Sequence, residues 1–201
     1  MSKKIILLAG PTASGKSNLA IHLAKKLDGE IINADSMQIY KEFSILSSRP
    51  TKSETKKVKH HIYGIISVKK HFSAGDWFKE AKKKINNCFQ KKKVPIVVGG
   101  TGLYFNTITK GISKIPDIDF KTRSKVRNLY VKLGFKKFYE KLIELDPQVK
   151  NKILPTDSQR AQRAFEVKLK TKKSLFDWIA KTKPEFLDFN LKKIFIDIPR
   201  D

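Results

Sequence analysis

The chain has 201 residues, and its 43 Lys and Arg against 19 Asp and Glu give a formal net charge of +24. A single cysteine, Cys88, excludes a disulfide framework within the chain and a zinc cluster built on four cysteines. The longest apolar runs, Ile5–Ala9 and Ile96–Val98, are too short to cross a bilayer, so a cytoplasmic protein of one or two domains with an attraction for polyanions is expected.

In chain order, Lys4–Ala9 predicts a first strand. Lys3 and Lys4 precede it, but it runs directly into a glycine-rich turn and has no long apolar region, so it is not read as a signal peptide. Asn18–Leu27 carries Leu19, Leu23 and Leu27 at helical spacing. Glu30–Ala34 and His61–Ile66 predict strands, Asp76–Gln90 an amphipathic helix, and Val94–Val98 another almost wholly apolar strand. Apolar strands alternating with helices indicate a parallel sheet covered on both faces. From Pro116 to about Leu191 no strand is predicted. Asp117–Asp119 caps a helix through Tyr130, Phe135–Leu145 is a second, Asp157 caps a third over Ser158–Leu169, and Ser174–Lys181 is a fourth. Lys193–Ile198 returns to the strand pattern. The predicted fold is α/β, a P-loop NTPase-like parallel sheet (1–116 with 192–201) with helices on both faces and a small all-helical insertion (117–191).

Gly10-Pro11-Thr12-Ala13-Ser14-Gly15-Lys16-Ser17 matches the G-x-x-x-x-G-K-[ST] pattern between a strand and a helix. Its glycines let successive N–H groups point into one cavity, and the helix N-terminus adds positive potential. Lys16 is placed for phosphate oxygens and Ser17 for Mg²⁺. The geometry reads a diphosphate, of which a nucleotide is one source. A hydrolytic NTPase needs a strand ending in a carboxylate, yet Val94–Val98 ends in Gly99-Gly100-Thr101-Gly102. The strand-end acid is Asp35, which can act as a general base, a magnesium neighbour or a helix cap. Beside it lie Ser36, Met37 and Gln38, whose amide can pair with an adenine edge. Thr101 supplies a hydroxyl in a turn that a substrate can approach closely.

Gln159, Arg160, Ala161, Gln162 and Arg163 open the third inserted helix as a base and phosphate reader or as a solvated face. His60-His61 is a weak metal signal and is read as structural or packing, because neighbours on a strand point oppositely and no third ligand is near. Lysine supplies most of the positive charge, and with many Ile, Asn and Phe this mix reads as background composition as readily as a binding surface. Residues 1–116 carry net +15 and residues 117–191 net +8, so the excess is not concentrated in the insertion. The six arginines are more informative, since Arg123, Arg127, Arg160 and Arg163 all fall there.

Gly10–Ser17, Asn33–Tyr40 (NADSMQIY), His60-His61, Pro95–Tyr104 (PIVVGGTGLY) and Asp157–Val167 (DSQRAQRAFEV) together resemble the tRNA dimethylallyltransferase family, the isopentenyl-diphosphate:tRNA transferases, in order and over nearly the whole chain. The resemblance implies transfer of a dimethylallyl group from dimethylallyl diphosphate to the exocyclic amine of the adenosine 3′ of the anticodon. It implies that Thr12–Ser17 hold the diphosphate with Mg²⁺, that Asp35 is the base, and that Thr101 lies near the bridging oxygen. Asp35–Gln38, Thr101, Arg123 and Gln159–Arg163 would contact the tRNA anticodon stem-loop. A monomer with no membrane partner is expected. The alternatives are a P-loop nucleoside or small-molecule kinase and a tRNA-binding remnant without turnover. Three departures stand out. Leu46–Pro50 replaces the family's Gly-Thr-Ala-Lys-Pro, Lys172 replaces the Gly of Thr-Gly-Lys, and Pro199-Arg200-Asp201 follows a strand where relatives continue through further helices, so the chain reads as lacking the usual C-terminal part.

Overall fold

The computed structural model describes residues 3–197. Its sheet has five strands, β1 (Lys4–Ala9), β2 (Gly29–Asn33), β3 (His60–His61), β4 (Val94–Gly99) and β5 (Asn190–Phe195), in the order β3-β2-β4-β1-β5. All pairings are parallel; Ile6 lies opposite Ile96, and Leu8 lies opposite both Val98 and Ile194. Strand side chains alternate between faces. Ile6, Leu8, Ile31, Ile96 and Val98 pack with Ala20, Ile21 and Ala24 of α1 (Lys16–Lys26). The opposite face takes α3 (Ala74–Gln90), which buries Trp77, Phe78, Ala81, Ile85 and Cys88. Between these helices lies the short α2 (Lys52–Lys57), and α4 (Gly102–Thr109) follows β4. This is the α/β, P-loop NTPase-like sheet expected from the sequence.

The chain divides into two compact units, one running to Gly111 and resuming at Pro184, the other Ile112–Lys183. The sequence reading placed these boundaries at 116 and 192. Residues 184–189 group with the sheet because Phe186 is buried against Phe78 and Phe189 packs on Phe89. The second unit is helical throughout, with α5 (Phe120–Leu145), a 3₁₀ turn (Pro147–Val149), α6 (Ser158–Thr171) and α7 (Leu175–Ala180). Val126, Phe138, Leu142, Val149, Ile153, Ala161, Ala164 and Phe165 form its core.

Several elements differ from expectation for local reasons. The run His61–Ile66 stays extended only at His60–His61, because Ile62 (φ 64°) and Gly64 (φ 57°) turn left-handed. One bridge, Tyr40 to Ile66, marks where the strand would have continued. The two helices expected on either side of residues 131–134 are present as the two arms of α5, separated at Gly134 (φ 70°, ψ 173°), and differ only in that the first runs on past Tyr130 to meet that break. α2 and α4 were not foreseen. The first is short and polar, and the second hides behind glycines. β5 begins three residues before the predicted Lys193. Ile198, at the end of that predicted strand, and Pro199-Arg200-Asp201 lie outside the described residues.

Candidate active site

β1 delivers the chain into the loop Gly10–Ser17. A Cβ at Gly10 would meet the Ile196 carbonyl at 2.9 Å, so only glycine lets the loop leave the sheet here. Ala13 (φ 63°) and Gly15 (φ 78°) curl the loop. Gly15 caps α1 without a side-chain bond, and no acid occupies the helix's first turn. The first amides of α1 are therefore free for an anion. Lys16 Nζ donates to the Pro11 carbonyl and, at 3.3 Å, to Ser14 Oγ. Burial holds the Lys16 ammonium below its ordinary pKa, against the pull of Asp35.

A cavity of about 420 Å³ opens over this loop at the carboxyl ends of β2 and β4. Thr12 to Asn18, Asp35, Met37 and Gln38 line it, with Glu54 and Tyr63 on its wall. Asp35 is held through its backbone. Its N–H donates to Asn33 Oδ1 at 2.9 Å, and its carbonyl accepts from Asn33 Nδ2 at 3.0 Å. The Asn33 carbonyl accepts in turn from the fully buried Trp77 Nε1 at 2.7 Å, and Trp77 stacks on Tyr104 at 4.4 Å. Asp35 Oδ1 accepts from Met37 N–H at 2.9 Å, whereas among the described residues no hydrogen bond engages Oδ2. That free oxygen faces Gly100, 3.9 Å from where a Cβ would stand.

Thr101 sits one layer back. It is not part of the cavity lining; Thr101 Oγ1 accepts from Ser36 N–H at 2.9 Å and donates to Ser36 Oγ at 3.3 Å. The bond pins the turn after β4 to the turn after β2. Gln38 Nε2 is also occupied, donating to the Ser47 carbonyl at 2.8 Å and the Ser48 carbonyl at 3.3 Å. It thereby folds the Leu46–Ser48 segment over the cavity. Arg49 anchors the same segment by donating to the Tyr40 carbonyl at 3.3 Å, with its guanidinium against Gly64.

The remaining predicted site residues belong to the helical unit. Gln159 and Arg160 are exposed at the start of α6, while Gln162 and Arg163 are half-buried. Arg160 pairs with Asp157 and Arg163 with Glu166, each at 3.4 Å. Ala161 is buried in the unit's core, so only its backbone is available to a ligand. Arg123, on the first turn of α5, has its Nε buried with no hydrogen-bond partner among the described residues. It lies one turn from Asp119, whose carboxylate takes Lys170 at 2.9 Å. Lys170 is the far end of α6, roughly 16 Å along the helix from Gln159. Arg123 and the Gln159–Arg163 set thus mark opposite ends of one helix pair.

The family model for IPP transferase matches residues 38–201, well over half of the chain. The chain belongs to the IPP transferase family. It is 54% identical over 198 residues to the tRNA dimethylallyltransferase of Pelagibacter ubique (strain HTCC1062), covering 98% of this chain and 63% of that protein. It is 46% identical over 199 residues to the one from Rickettsia felis (strain ATCC VR-1525 / URRWXCal2), covering 98% and 64%. The chain therefore spans just under two thirds of the length of these curated relatives. Among solved structures, a eukaryotic dimethylallyltransferase acting on tRNA superposes with a TM-score of 0.84 at 31% identity, covering 97% of this chain and 48% of that one. The full-length tRNA isopentenylpyrophosphate transferase of Bacillus halodurans gives 0.56 at 32% identity, covering 86% and 57%.

Within this IPP transferase chain, sequence reasoning missed three contributors to the cavity. Asn33 was quoted in the NADS run but not recognised as the bracket of Asp35; its side chain two residues before the acid is the signal for such a turn. Glu54 is the N3 residue of a Thr51-x-x-Glu54 capping box, a pattern readable in the sequence. Bonds from the Thr51 backbone and hydroxyl hold its carboxyl below the ordinary range. Tyr63 was assigned to a strand. Burial, with Asp35 and Glu54 nearby, pushes its phenol well above the ordinary value, so it stays a hydrogen-bond donor on the cavity wall.

Proposed function

We propose that the chain transfers a dimethylallyl group from dimethylallyl diphosphate to the exocyclic amine of the adenosine 3′ of the anticodon in tRNA. One observation carries the reading. The strand beside β1 ends in Gly99-Gly100 where a hydrolytic P-loop enzyme needs an acid, and Asp35 presents at the cavity a carboxylate oxygen that no hydrogen bond engages among the described residues, whereas the other carboxylate of the lining, Glu54, is tied by Oε2 into the Thr51 capping box. Such a site holds a diphosphate without activating water against it. Family membership and the names of the relatives support the same chemistry.

In this mechanism the amides of Thr12–Ser17 and the Lys16 ammonium hold the diphosphate. The adenine amine attacks the allylic carbon as its bond to the bridging oxygen breaks. Asp35 Oδ2 takes the amine proton, and the electron pair leaves with the diphosphate into the loop. The long Thr101–Ser36 hydroxyl bond is the one that the bridging oxygen would take over. Gln38 must release the Ser47 and Ser48 carbonyls to read the adenine edge. Ser17, with Asp35 on the same cavity, offers the hard oxygen donors that suit Mg²⁺, and when bound the ion neutralises diphosphate charge. Ser36, Met37, Arg123 and the Gln159–Arg163 helix start supply tRNA contacts, and the target base leaves its stack to reach the cavity. The chain acts in the cytoplasm as a monomer; among the described residues no helix is long and apolar enough to span a membrane.

Anticodon stem-loop RNA incubated with dimethylallyl diphosphate and Mg²⁺ should yield prenylated adenosine, whereas ATP should yield no phosphorylated acceptor. Asp35→Asn should lower transfer by about 10²-fold or more while leaving stem-loop affinity within a factor of about three. Unchanged turnover in that variant would remove Asp35 from the base role. Phosphate transfer from ATP to a small acceptor would replace the reading with a kinase, and stem-loop binding without product with a binding role alone.

A further inference from the structure

A second cluster of functional side chains lies far from this cavity. Glu30 is the second residue of β2, whereas Asp35 follows the strand's end, a separation of roughly 16 Å along the chain. Glu30 points to the α3 face of the sheet, as does His61 on β3, which pairs in register with Ile32. Cys88, in the last turn of α3, completes the group. His61 Nε2 donates to Glu30 Oε2 at 2.6 Å, and Cys88 Sγ donates to the same oxygen at 3.8 Å. Nε2, the carboxylate oxygen and Sγ all lie within 4.8 Å of one another. Cys88 is fully buried and Glu30 is 4% exposed. His60, its neighbour, turns to the other face and packs on Tyr63.

We propose that Glu30, His61 and Cys88 form a buried site for one zinc-like divalent transition-metal ion. The donor set mixes a thiolate, an imidazole nitrogen and a carboxylate oxygen, which suits Zn²⁺ and excludes Mg²⁺ and Ca²⁺. The spacing suits it as well. Tetrahedral zinc separates N, O and S donors by about 3.3 to 3.6 Å. The Cys88–Glu30 pair, at 3.8 Å, must close by a few tenths of an ångström, the His61–Glu30 pair, at 2.6 Å, must open by less than 1 Å, and the His61–Cys88 pair already lies within 4.8 Å. The charge closes too. On binding, the Cys88 thiol releases its proton to solvent, the His61 proton moves to Nδ1, and two anionic ligands neutralise the ion. Lys59, Lys84 and Lys91 surround the pair electrostatically, so a neutral metal cluster is tolerated better there than a bare dication. Without metal, burial and the adjacent carboxylate push the Cys88 thiol up to about 12, so it stays protonated. Water entering past the partly exposed His61 completes the coordination. The ion would tie the two-residue edge strand β3 to β2 and α3.

Cobalt titration of the full chain, after removal of metals by chelation, tests this directly. Because Cys88 is the one cysteine in the sequence, a near-ultraviolet thiolate-to-cobalt charge-transfer band can arise only from it. One equivalent of Co²⁺ should produce that band, one equivalent of Zn²⁺ should abolish it, and Zn²⁺ should raise the melting temperature of the wild type. Cys88→Ser, nearly isosteric and checked by far-ultraviolet circular dichroism, should lose the band and the thermal shift. Absence of the band in the wild type, or Zn²⁺ raising the melting temperature of Cys88→Ser equally, would overturn the proposal and leave a hydrogen-bonded trio only.

Discussion

Asp35 owes its position to atoms that carry no charge. Asn33 brackets its backbone from both sides, Trp77 fixes Asn33, and the chain of β4 passes so close that no side chain fits at Gly99. A Cβ at Gly99 would stand 2.7 Å from the Asp35 nitrogen and closer still to the Ala34 carbonyl, both backbone atoms that cannot swing away. Gly99→Ala should therefore cost about 1–3 kcal/mol of stability. On the proposed mechanism it should also lower transfer by about 10²-fold by displacing Asp35, with the chain still folded at 25 °C. Thermal melts alongside single-turnover prenylation check this, and wild-type turnover in the variant would show that the close approach does not position Asp35. At this scale the sequence is legible wherever function sits in a contiguous run. Gly10–Ser17 could be read from its spacing and Asp35 from its place after a strand, and Thr12–Ser17 and Asp35 do line the cavity. Tyr63 could not be read as part of the cavity, because what brings it there is a left-handed turn at Ile62, a residue type that seldom adopts one.

Helix starts show the same division among the elements. Three helices begin with full capping boxes, Thr51 with Glu54, Ser73 with Asp76 and Ser174 with Asp177. In each, hydrogen bonding to the ionised form holds the N3 carboxyl below its ordinary value. For Glu54 the first contribution is the Thr51 backbone, for Asp76 the Ser73 hydroxyl, and for Asp177 the Gln148 amide. A carboxyl depressed on folding contributes stability that is fully present above its unfolded value, 4.5 for Glu and 3.8 for Asp, and is lost as pH falls through the lower folded value. The contribution of these three carboxyls to the melting temperature should thus hold down to about pH 5 and be lost steadily below it, whereas His60 and His61, which burial lowers from 6.5, already cost stability as pH falls below about 6.5. Asp76→Asn should flatten part of the carboxyl loss, and circular dichroism melts between pH 7 and 3 measure it. A midpoint as steeply pH-dependent in Asp76→Asn as in the wild type would refute the Asp76 contribution. Long amphipathic helices such as α3 were legible from their period. α2 was not, because its six residues bury nothing and only the Thr51/Glu54 box marks its start.

For the molecule as a whole, the boundary between units changes what the charge means. Counted at the observed boundaries, Ile112–Lys183 carries 19 basic and 8 acidic side chains, net +11 in 72 residues, while the remaining 129 residues carry net +13. The helical unit is therefore the more densely positive of the two. The boundaries read from the sequence, 117 and 191, had concealed this by assigning Lys114 to the sheet unit and the acids Glu185 and Asp188 to the insertion. The sequence could not place the limit because Phe186 and Phe189 join the sheet through contacts with Phe78 and Phe89, about a hundred residues earlier.

The two tryptophans fall one to each unit, and their surroundings differ. Trp77 is fully buried, stacked on Tyr104 and bonded to a carbonyl, whereas Trp178 is half-buried, 3.3 Å from Thr171 Oγ1 and beneath the Lys173 ammonium. Fluorescence should distinguish them. Trp178→Phe should leave a blue-shifted emission belonging to the sheet unit, and the wild-type minus variant difference should be the redder emission of the helical unit. Coincident spectra would refute that contrast. With each unit of the chain supplying its own optical reporter, denaturant titration can show whether the sheet unit and the helical unit melt as one cooperative body or in two steps, with no label attached to either.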